Sequence, residues 1–408
     1  MASPVTKLAR SGQFQFAFHQ ALSALTSSCM SVIHSEVQKL SSRTMATQQT
    51  KQGDDPIVCL DEARRFMVDC FKAVGCNQNH AEIVAENLLA ADYRGHYSHG
   101  MNRLEMYLRD VQGGFTSPNA TCTIEKETMA TAVVDGNNGF GAVIGKFCMD
   151  LAIEKARKAG IGMVVAHHSN HFGIAGIYSL QAIERGFLGM SFTNTSPFMV
   201  PTRSKEVALG TNPISLGAPG LNGDSFVLDM ATTAVAVGKI EIQRRKNEPI
   251  PSGWALNNDG RLETDANIAY DAGKLLPLGG EELNSGYKGY GLGMMVEIFC
   301  GILSGSKYGP NIRKWSAFSE IADNGQAFIA IDPNAFASGF EERMSDLMGT
   351  LRKMEPVDPD KKVLVHGDPE RMHMEKVHKD GGLKYVRNQH ETNLRLAEEF
   401  KIKPMISK

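Results

Sequence analysis

From residue 131 onward, short apolar runs alternate with helical stretches and glycines mark the changes; no other feature of this chain narrows its fold as much. Thr131-Ala132-Val133-Val134-Asp135 runs into Gly136 as a strand into a turn, residues 141–159 carry helix periodicity, and Gly162–Ala166 reads as the next strand. Further strands are expected at Leu188–Thr193, Ile214–Ala218, Phe226–Leu228 and Ala327–Ile331. Such alternation predicts an α/β core, because a sheet with helices on its faces buries both of them.

The flanks read differently. Leu60, Ala63, Phe66, Met67, Cys70, Phe71 and Val74 recur at helix spacing, a second helix is expected at 80–92, and a third from 98 to 112. Residues 256–283 read as loop around Asn257-Asn258-Asp259-Gly260, followed by a glycine-punctuated helix at 289–304 and a charged helical tail from 337. At 408 residues the chain is long enough for two domains. The expected division is an α-rich part built from both ends of the chain (55–130 with 285–408) around an α/β part (131–284).

Composition excludes several partners. A formal net charge of −2 provides no field to steer the protein to nucleic acid or an anionic membrane. No apolar run reaches the 18 or so residues of a membrane span; the most apolar stretch, Met294–Leu303, is short and holds Glu297. The seven cysteines are scattered and nowhere form CxxC, so a reducing compartment is the expectation. The first fifty residues of the expected extension at 1–54 are rich in Ser and Thr, with Lys7, Arg10, Lys39 and Arg43 against Glu36. That composition suits a mitochondrial presequence or a disordered extension, and Met45 could serve as an internal start, so the expected location is cytoplasmic or mitochondrial.

Gly139-Phe140-Gly141-Ala142-Val143-Ile144-Gly145 follows a strand and opens a helix, but it is not a Rossmann fingerprint. The third glycine falls one position late, and the next strand ends in Ala166-His167-His168-Ser169 without an acid for a ribose hydroxyl. A glycine-rich strand-to-helix turn accounts for it.

Four clusters carry candidate chemistry. On a continuous helix, His99, Arg103 and Tyr107 would share one face. An imidazole can exchange a proton with a carbonyl or alkoxide, and a guanidinium can grip a carboxylate through paired hydrogen bonds. A solvated polar face has the same spacing. His167-His168-Ser169-Asn170-His171 closes a predicted strand, where α/β proteins place ligand groups. Its three histidines could hold a metal for a hydrolase, but no glutamate or cysteine completes a familiar motif, so a loop imidazole held by Asn170 is the reading adopted and no metal is expected. Asn194-Thr195-Ser196-Pro197 with Gly210-Thr211-Asn212-Pro213 offers phosphate-binding turns or plain surface turns. Gly286-Tyr287-Lys288-Gly289 opens a helix with a cation at its anion-favouring end.

Together these segments resemble the type-2 malate/L-lactate dehydrogenase family, whose relatives include ureidoglycolate, sulfolactate and diketogulonate dehydrogenases or reductases. The matching stretches are Ser98-His99-Gly100 with Arg103, Ser169-Asn170-His171-Phe172-Gly173, Gly210–Pro213, Leu228-Asp229-Met230-Ala231-Thr232, Lys288-Gly289-Tyr290-Gly291-Leu292 and, more weakly, His366-Gly367-Asp368-Pro369-Glu370. They occur in family order from about 57 to 400; residues 1–54 have no counterpart. The resemblance implies a non-Rossmann, mixed-sheet cofactor domain of the sulfolactate-dehydrogenase-like type and a homodimer. It implies NAD or NADP lined by Asp229, Met230, Ala231, Lys288, Gly289, Gly367, Asp368 and Pro369, with Thr195, Ser196 and Pro197 as a further wall. It also implies His171 or His99 as acid–base residue, with Ser98, Arg103 and Tyr107 at the substrate. Members often carry Gly-Glu where this chain has Gly367-Asp368.

The function expected is hydride transfer between nicotinamide and C2 of a small 2-hydroxy or 2-oxo acid, of the malate/oxaloacetate or lactate/pyruvate type. The rivals are a metal-dependent hydrolase using His167, His168 and His171, and a catalytically silent nicotinamide-binding protein.

Overall fold

The computed structural model describes residues 55–314 and 320–408; the expected extension at 1–54 lies outside them. In chain order the strands are β1 (Ile57–Val58), β2 (Thr123–Glu127), β3 (Thr131–Asp135), β4 (Ile161–Ser169), β5 (Leu188–Thr193), β6 (Ile214–Pro219) and β7 (Ser225–Met230). They continue with β8 (Ala255–Leu256), β9 (Leu262–Glu263), β10 (Lys274–Leu275), β11 (Asn324–Ile331) and β12 (Leu383–Lys384). The helices before the sheet are α1 (Leu60–Ala73), α2 (Gln78–Tyr93) and α3 (Leu104–Gln112), followed by α4 (Gly141–Ala159), α5 (Gly176–Ile183), α6 (Val237–Lys246) and α7 (Ala266–Ala272). Last come α8 (Gly286–Glu297), α9 (Phe340–Arg352), α10 (Asp368–Asp380) and α11 (Arg387–Phe400).

Seven strands form the main sheet in the order β2-β3-β4-β11-β5-β6-β7. Only β3 and β4 run parallel, joined by the crossover helix α4; the other neighbours are antiparallel. This is a mixed α/β sheet, not the parallel sheet of a dinucleotide-binding Rossmann domain. α4 and α5 cover one face through Val134, Ile144, Cys148, Phe172, Tyr178 and Phe328. Val296 and Cys300 cover the other, against Val165, Phe192 and Ala327.

The strand from the far end of the chain, β11, lies at the centre of this sheet, between β4 and β5. A division at residue 284 places that strand in the α-rich part, whereas its backbone hydrogen bonds belong to the α/β layer. Its apolar run, Ala327 to Ile331, can be buried on both faces only there. Residues 256–283 are likewise not all loop: β8, β9 and β10 make a small sheet, and Asp265 caps α7 by accepting from the Asn267 and Ile268 amides. This region has its own core of Val235, Ile240, Ile250, Ala255 and Leu275.

The helices before the sheet pack with the C-terminal ones around Phe66, Met67, Phe71, Leu88, Leu104 and Leu396. Each such side chain contributes about 1.5–3 kcal/mol on leaving water. β1 pairs antiparallel with β12, tying the start of the described chain to its end. Phe140 and Ala142, at the start of α4, belong to this same cluster, as does Tyr107. The helical layer therefore meets the sheet layer where α3 faces the turn into α4, and the candidate residues gather at that seam.

Among the described residues no helix is long and apolar enough to cross a membrane.

Candidate active site

The segment carrying Ser98, His99 and Arg103 is not the start of one helix from 98 to 112. It consists of two 3-10 turns, Tyr97–His99 and Met101–Arg103, parted at Gly100, and the α-helix begins at Leu104. The cause is Asp92, fully buried at the end of α2. Its Oδ2 accepts from the Met101 amide at 2.9 Å and from the Tyr385 hydroxyl at 2.7 Å. A Cβ at residue 100 would stand 1.9 Å from Oδ1, so only glycine lets the turn close over the carboxyl. Burial pushes the Asp92 carboxyl up to about 7.

His171 comes from the other layer. Beyond Ser169 at the end of β4, the Asn170 amide donates to the Gly139 carbonyl at 2.8 Å. The Phe172 carbonyl accepts from Asn87 Nδ2 at 3.1 Å and the Tyr178 hydroxyl at 2.5 Å, and the Gly176 amide donates to Asp229 Oδ2 at 2.7 Å. Side chains from α2, α5 and β7, together with Asn170 of the loop itself, thus hold the loop. Gly141 and Gly145 belong to the same packing: a Cβ on Gly141 would meet the Asn170 carbonyl at 2.1 Å, and one on Gly145 the Tyr178 ring at 2.6 Å. The glycines that imitate a nucleotide fingerprint are there for close contact with the His171 loop.

The two layers bring the imidazoles together. His99 and His171 stack with ring centroids 5.6 Å apart and planes 23° from parallel. Ser98 Oγ lies 2.8 Å from His99 Nδ1, and Tyr107 Oη lies 2.6 Å from His171 Nδ1. The Gly173 amide, which can only donate, also points at His171 Nδ1, at 3.3 Å. Nδ1 is therefore an acceptor, and the neutral ring carries its proton on Nε2. Burial, helped by the charges on Arg103 and His96, brings His99 down to about 3. Burial, helped by His99 and Arg103, holds His171 well below the usual histidine value. Burial also raises the Tyr107 phenol, so it keeps its proton. Arg103 lies half-buried beside these groups, and burial lowers its pKa against the compensating charge of Glu241. A small cavity lined by Tyr107, Asp110, Phe140, Asn170 and His171 opens at this point. So Ser98, His99, Arg103, Tyr107 and His171 form one cluster.

His167 and His168 do not join it. Their rings contact each other instead, beside Asp135 and Glu125. A metal trio of His167, His168 and His171 is therefore not what the fold builds: β4 ends between the second and third histidine, and the chain turns.

The candidate cofactor positions fall into two groups. Asp229 and Met230 end β7, and Ala231 follows them, beside the segment leading into α10, where the Val227 amide donates to the His366 carbonyl at 3.0 Å. The Asp229 carboxylate is committed to the Gly176 amide. Gly367 has φ +101 and precedes Asp368 and Pro369 in the first turn of α10. Asp368 is held by Arg352 and Arg371 and also accepts from the Val365 amide. Its carboxyl consequently lies well below the usual range despite partial burial.

The second group gathers around α8. Lys288 is exposed on its first turn. A Cβ on Gly289 would stand 2.3 Å from the Leu278 carbonyl, so this glycine seats α8 against the segment bonded to Thr232. At the far end Glu297 accepts from Asn212 at 2.8 Å and Asn194 at 3.2 Å, which fixes the Thr195–Pro197 loop. Thr195 Oγ1 accepts from the Thr211 amide at 2.9 Å, and Ser196 donates to the Arg313 carbonyl at 2.7 Å.

The profile of the malate/L-lactate dehydrogenase family matches residues 58–392, most of the chain. The chain belongs to the malate/L-lactate dehydrogenase family. It is a dehydrogenase acting on a CH–OH group. A malate dehydrogenase from Pyrococcus abyssi is 41% identical over 318 residues, which is 77% of this chain and 87% of that protein. The solved malate dehydrogenase from Pyrococcus horikoshii OT3 superposes with a TM-score of 0.79 at 35% identity, covering 88% of this chain and 99% of that one. The sulfolactate dehydrogenase structure from Methanocaldococcus jannaschii gives 0.78 at 35% identity, covering 85% and 98%. The fold is thus the mixed-sheet fold of the sulfolactate and malate dehydrogenases of this family.

Several residues that build the site in this family member escape a reading by motif. Asp92, Asn87, Tyr178 and Tyr385 touch the site segments from underneath. They sit inside ordinary helical or apolar patterns, where nothing in the local spacing sets them apart. The one available signal was Asp92 itself, a carboxylate at the inner face of an otherwise apolar helix.

Proposed function

We infer that the protein catalyses reversible hydride transfer between NAD(H) or NADP(H) and C2 of a small 2-hydroxy or 2-oxo acid. The observation that carries this reading is the meeting of two neutral imidazoles with a guanidinium, all three half-buried. A 2-oxo acid offers the complement: a carboxylate for Arg103 and a carbonyl oxygen for an imidazole N–H. Membership of a malate/L-lactate dehydrogenase family agrees with that substrate class.

The donor set also fits a dinucleotide. Lys288, exposed on the first turn of α8, supplies a cation for a diphosphate. Asp229 to Ala231, Gly367 to Pro369 and Thr195 to Pro197 would form the remaining walls. Nicotinamide supplies or takes the hydride when bound.

The chain itself positions the acid and moves a proton. Arg103 holds the carboxylate. Nε2–H of His171 reaches the C2 oxygen, while Ser98 and His99 close the opposite side. His171 gives its Nε2 proton to the C2 oxygen as the hydride arrives, Tyr107 holds Nδ1 as an acceptor throughout, and a proton from solvent restores the neutral ring before the next turnover. In oxidation the flow reverses.

A cofactor-by-substrate matrix tests this: NADH and NADPH against oxaloacetate, pyruvate and related 2-oxo acids. Turnover with at least one pair is expected. No turnover together with no nicotinamide binding would overturn the reading, whereas nicotinamide binding without turnover would identify a silent binder.

A further inference from the structure

The geometry points to a divalent transition-metal site, of the kind that takes Zn²⁺, formed by Asp135, His167 and His168 at the ends of β3 and β4. It is separate from His171 and takes no part in the hydride transfer inferred above.

Asp135 and His167 are register partners in the one parallel pair of the sheet, so both stand where those strands end. Successive strand residues normally point to opposite faces. His168 departs from this rule, with φ +48, and its amide donates to Asp323 Oδ1 at 2.9 Å. The reversal brings its ring to the side of His167, with centroids 4.4 Å apart.

Three ligand atoms converge as a result. His167 Nδ1 lies 3.1 Å from His168 Nδ1, which lies 3.0 Å from Asp135 Oδ1, and one donor atom from each residue falls within 4.8 Å of the others. A tetrahedral zinc with bonds of about 2.0–2.1 Å sets neighbouring ligand atoms about 3.3 Å apart.

The protonation pattern also asks for a cation. Glu125 Oε2 lies 2.9 Å from His167 Nε2 and, being a carboxylate, takes the proton there. That leaves the Nδ1 lone pair of His167 aimed into the cluster. One proton on His168 Nδ1 then faces two acceptors, His167 and Asp135. A divalent cation satisfies all three atoms at once. Glu125 becomes the outer carboxylate that orients a metal-bound histidine, an arrangement that recurs in zinc sites.

The ligand set of two imidazoles and one carboxylate favours Zn²⁺, Ni²⁺ or Cu²⁺ over Mg²⁺ or Ca²⁺. The His168 side chain is 44% exposed, so a coordination position remains open to water or an external ligand. Bound metal would also stiffen the junction below the His171 loop, because the His167 and His168 carbonyls accept from the Gly136 and Asn138 amides.

The test is equilibrium dialysis of the untagged, metal-stripped full chain against Zn²⁺, and against Co²⁺ read by its visible absorption. Saturable binding of one ion per chain is expected, with a rise in Tm, since a ligand of the folded state stabilises it. His168→Asn tolerates positive φ and keeps the amide bond to Asp323. This variant and Asp135→Asn should each bind at least about tenfold more weakly, and Glu125→Ala about tenfold more weakly through the lost outer contact. Absence of saturable binding by the native chain would overturn the proposal. So would undiminished binding in both His168→Asn and Asp135→Asn, which would place the ion elsewhere. Because the readout is binding, it stands whether or not the dehydrogenase reaction is found.

Discussion

Tyr107 places its hydroxyl 2.6 Å from Nδ1 of His171, joining the first helix-rich segment to the loop after β4 by one hydrogen bond across the seam between layers. The bond sets the tautomer of the proposed acid–base ring and fixes its orientation. Removing the hydroxyl while keeping the ring should leave the packing against Phe140 intact. Tyr107→Phe is expected to lower kcat by about a hundredfold, the lower end for a positioned acid–base group, with little change in KM. Steady-state kinetics with the best substrate pair checks this.

The two imidazoles should not be equivalent. His171 has its Nδ1 filled by two donors, whereas His99 is held by one serine hydroxyl. His171→Asn should therefore reduce kcat by about 10²–10⁴-fold and His99→Asn by less. A larger loss at His99, measured at saturating substrate, would transfer the proton-carrying role to it.

Arg103 is the proposed carboxylate clamp. Lysine keeps the charge but not the planar pair of donors, so Arg103→Lys should raise KM for the acid by about tenfold or more while affecting kcat less. Titration of the acid at fixed cofactor measures it, and an unchanged KM would remove Arg103 from this role.

Asp92 gives a pH signature. Its carboxyl is raised from the ordinary 3.8 to about 7 in the folded chain. The folded state thus favours the protonated form. This contribution to stability is fully present below pH 3.8 and is lost as pH rises through about 7. Asp92→Asn cannot titrate, so native minus variant stability should fall across that window, by on the order of 4 kcal/mol. Denaturant unfolding of both proteins at several pH values reads the difference; a flat difference would show the carboxyl to be ionised throughout.

Much of the α/β core was legible in the sequence because its elements are locally self-declaring. The helix at 141–159 and the strand at Leu188–Thr193 have the expected limits, since apolar periodicity and flanking glycines agree there. The position of β11 was not legible. Its apolar run announces a strand, but a pairing with segments more than 130 residues away leaves no local trace. The break at Gly100 escaped because a spacing of four suits a continuous helix equally well, and the carboxyl that interrupts it belongs to α2. Asp265 was a readable helix cap, masked by the polar residues around it. At the site, Ser98, His99, Arg103, Tyr107 and His171 were named from motifs, but their meeting depends on Asp92, Asn87 and Tyr178, which recognise backbone and carry no motif.

The most direct measurement of the central claim is the fate of a labelled hydride. NADH or NADPH deuterated at the transferring C4 position is incubated with the protein and the 2-oxo acid that supports turnover, and the product is analysed by mass spectrometry. The account predicts one deuterium at C2 of the resulting 2-hydroxy acid. A hydroxy acid without deuterium at C2 for either labelled face of the nicotinamide, or no hydroxy acid from any 2-oxo acid offered, would contradict it.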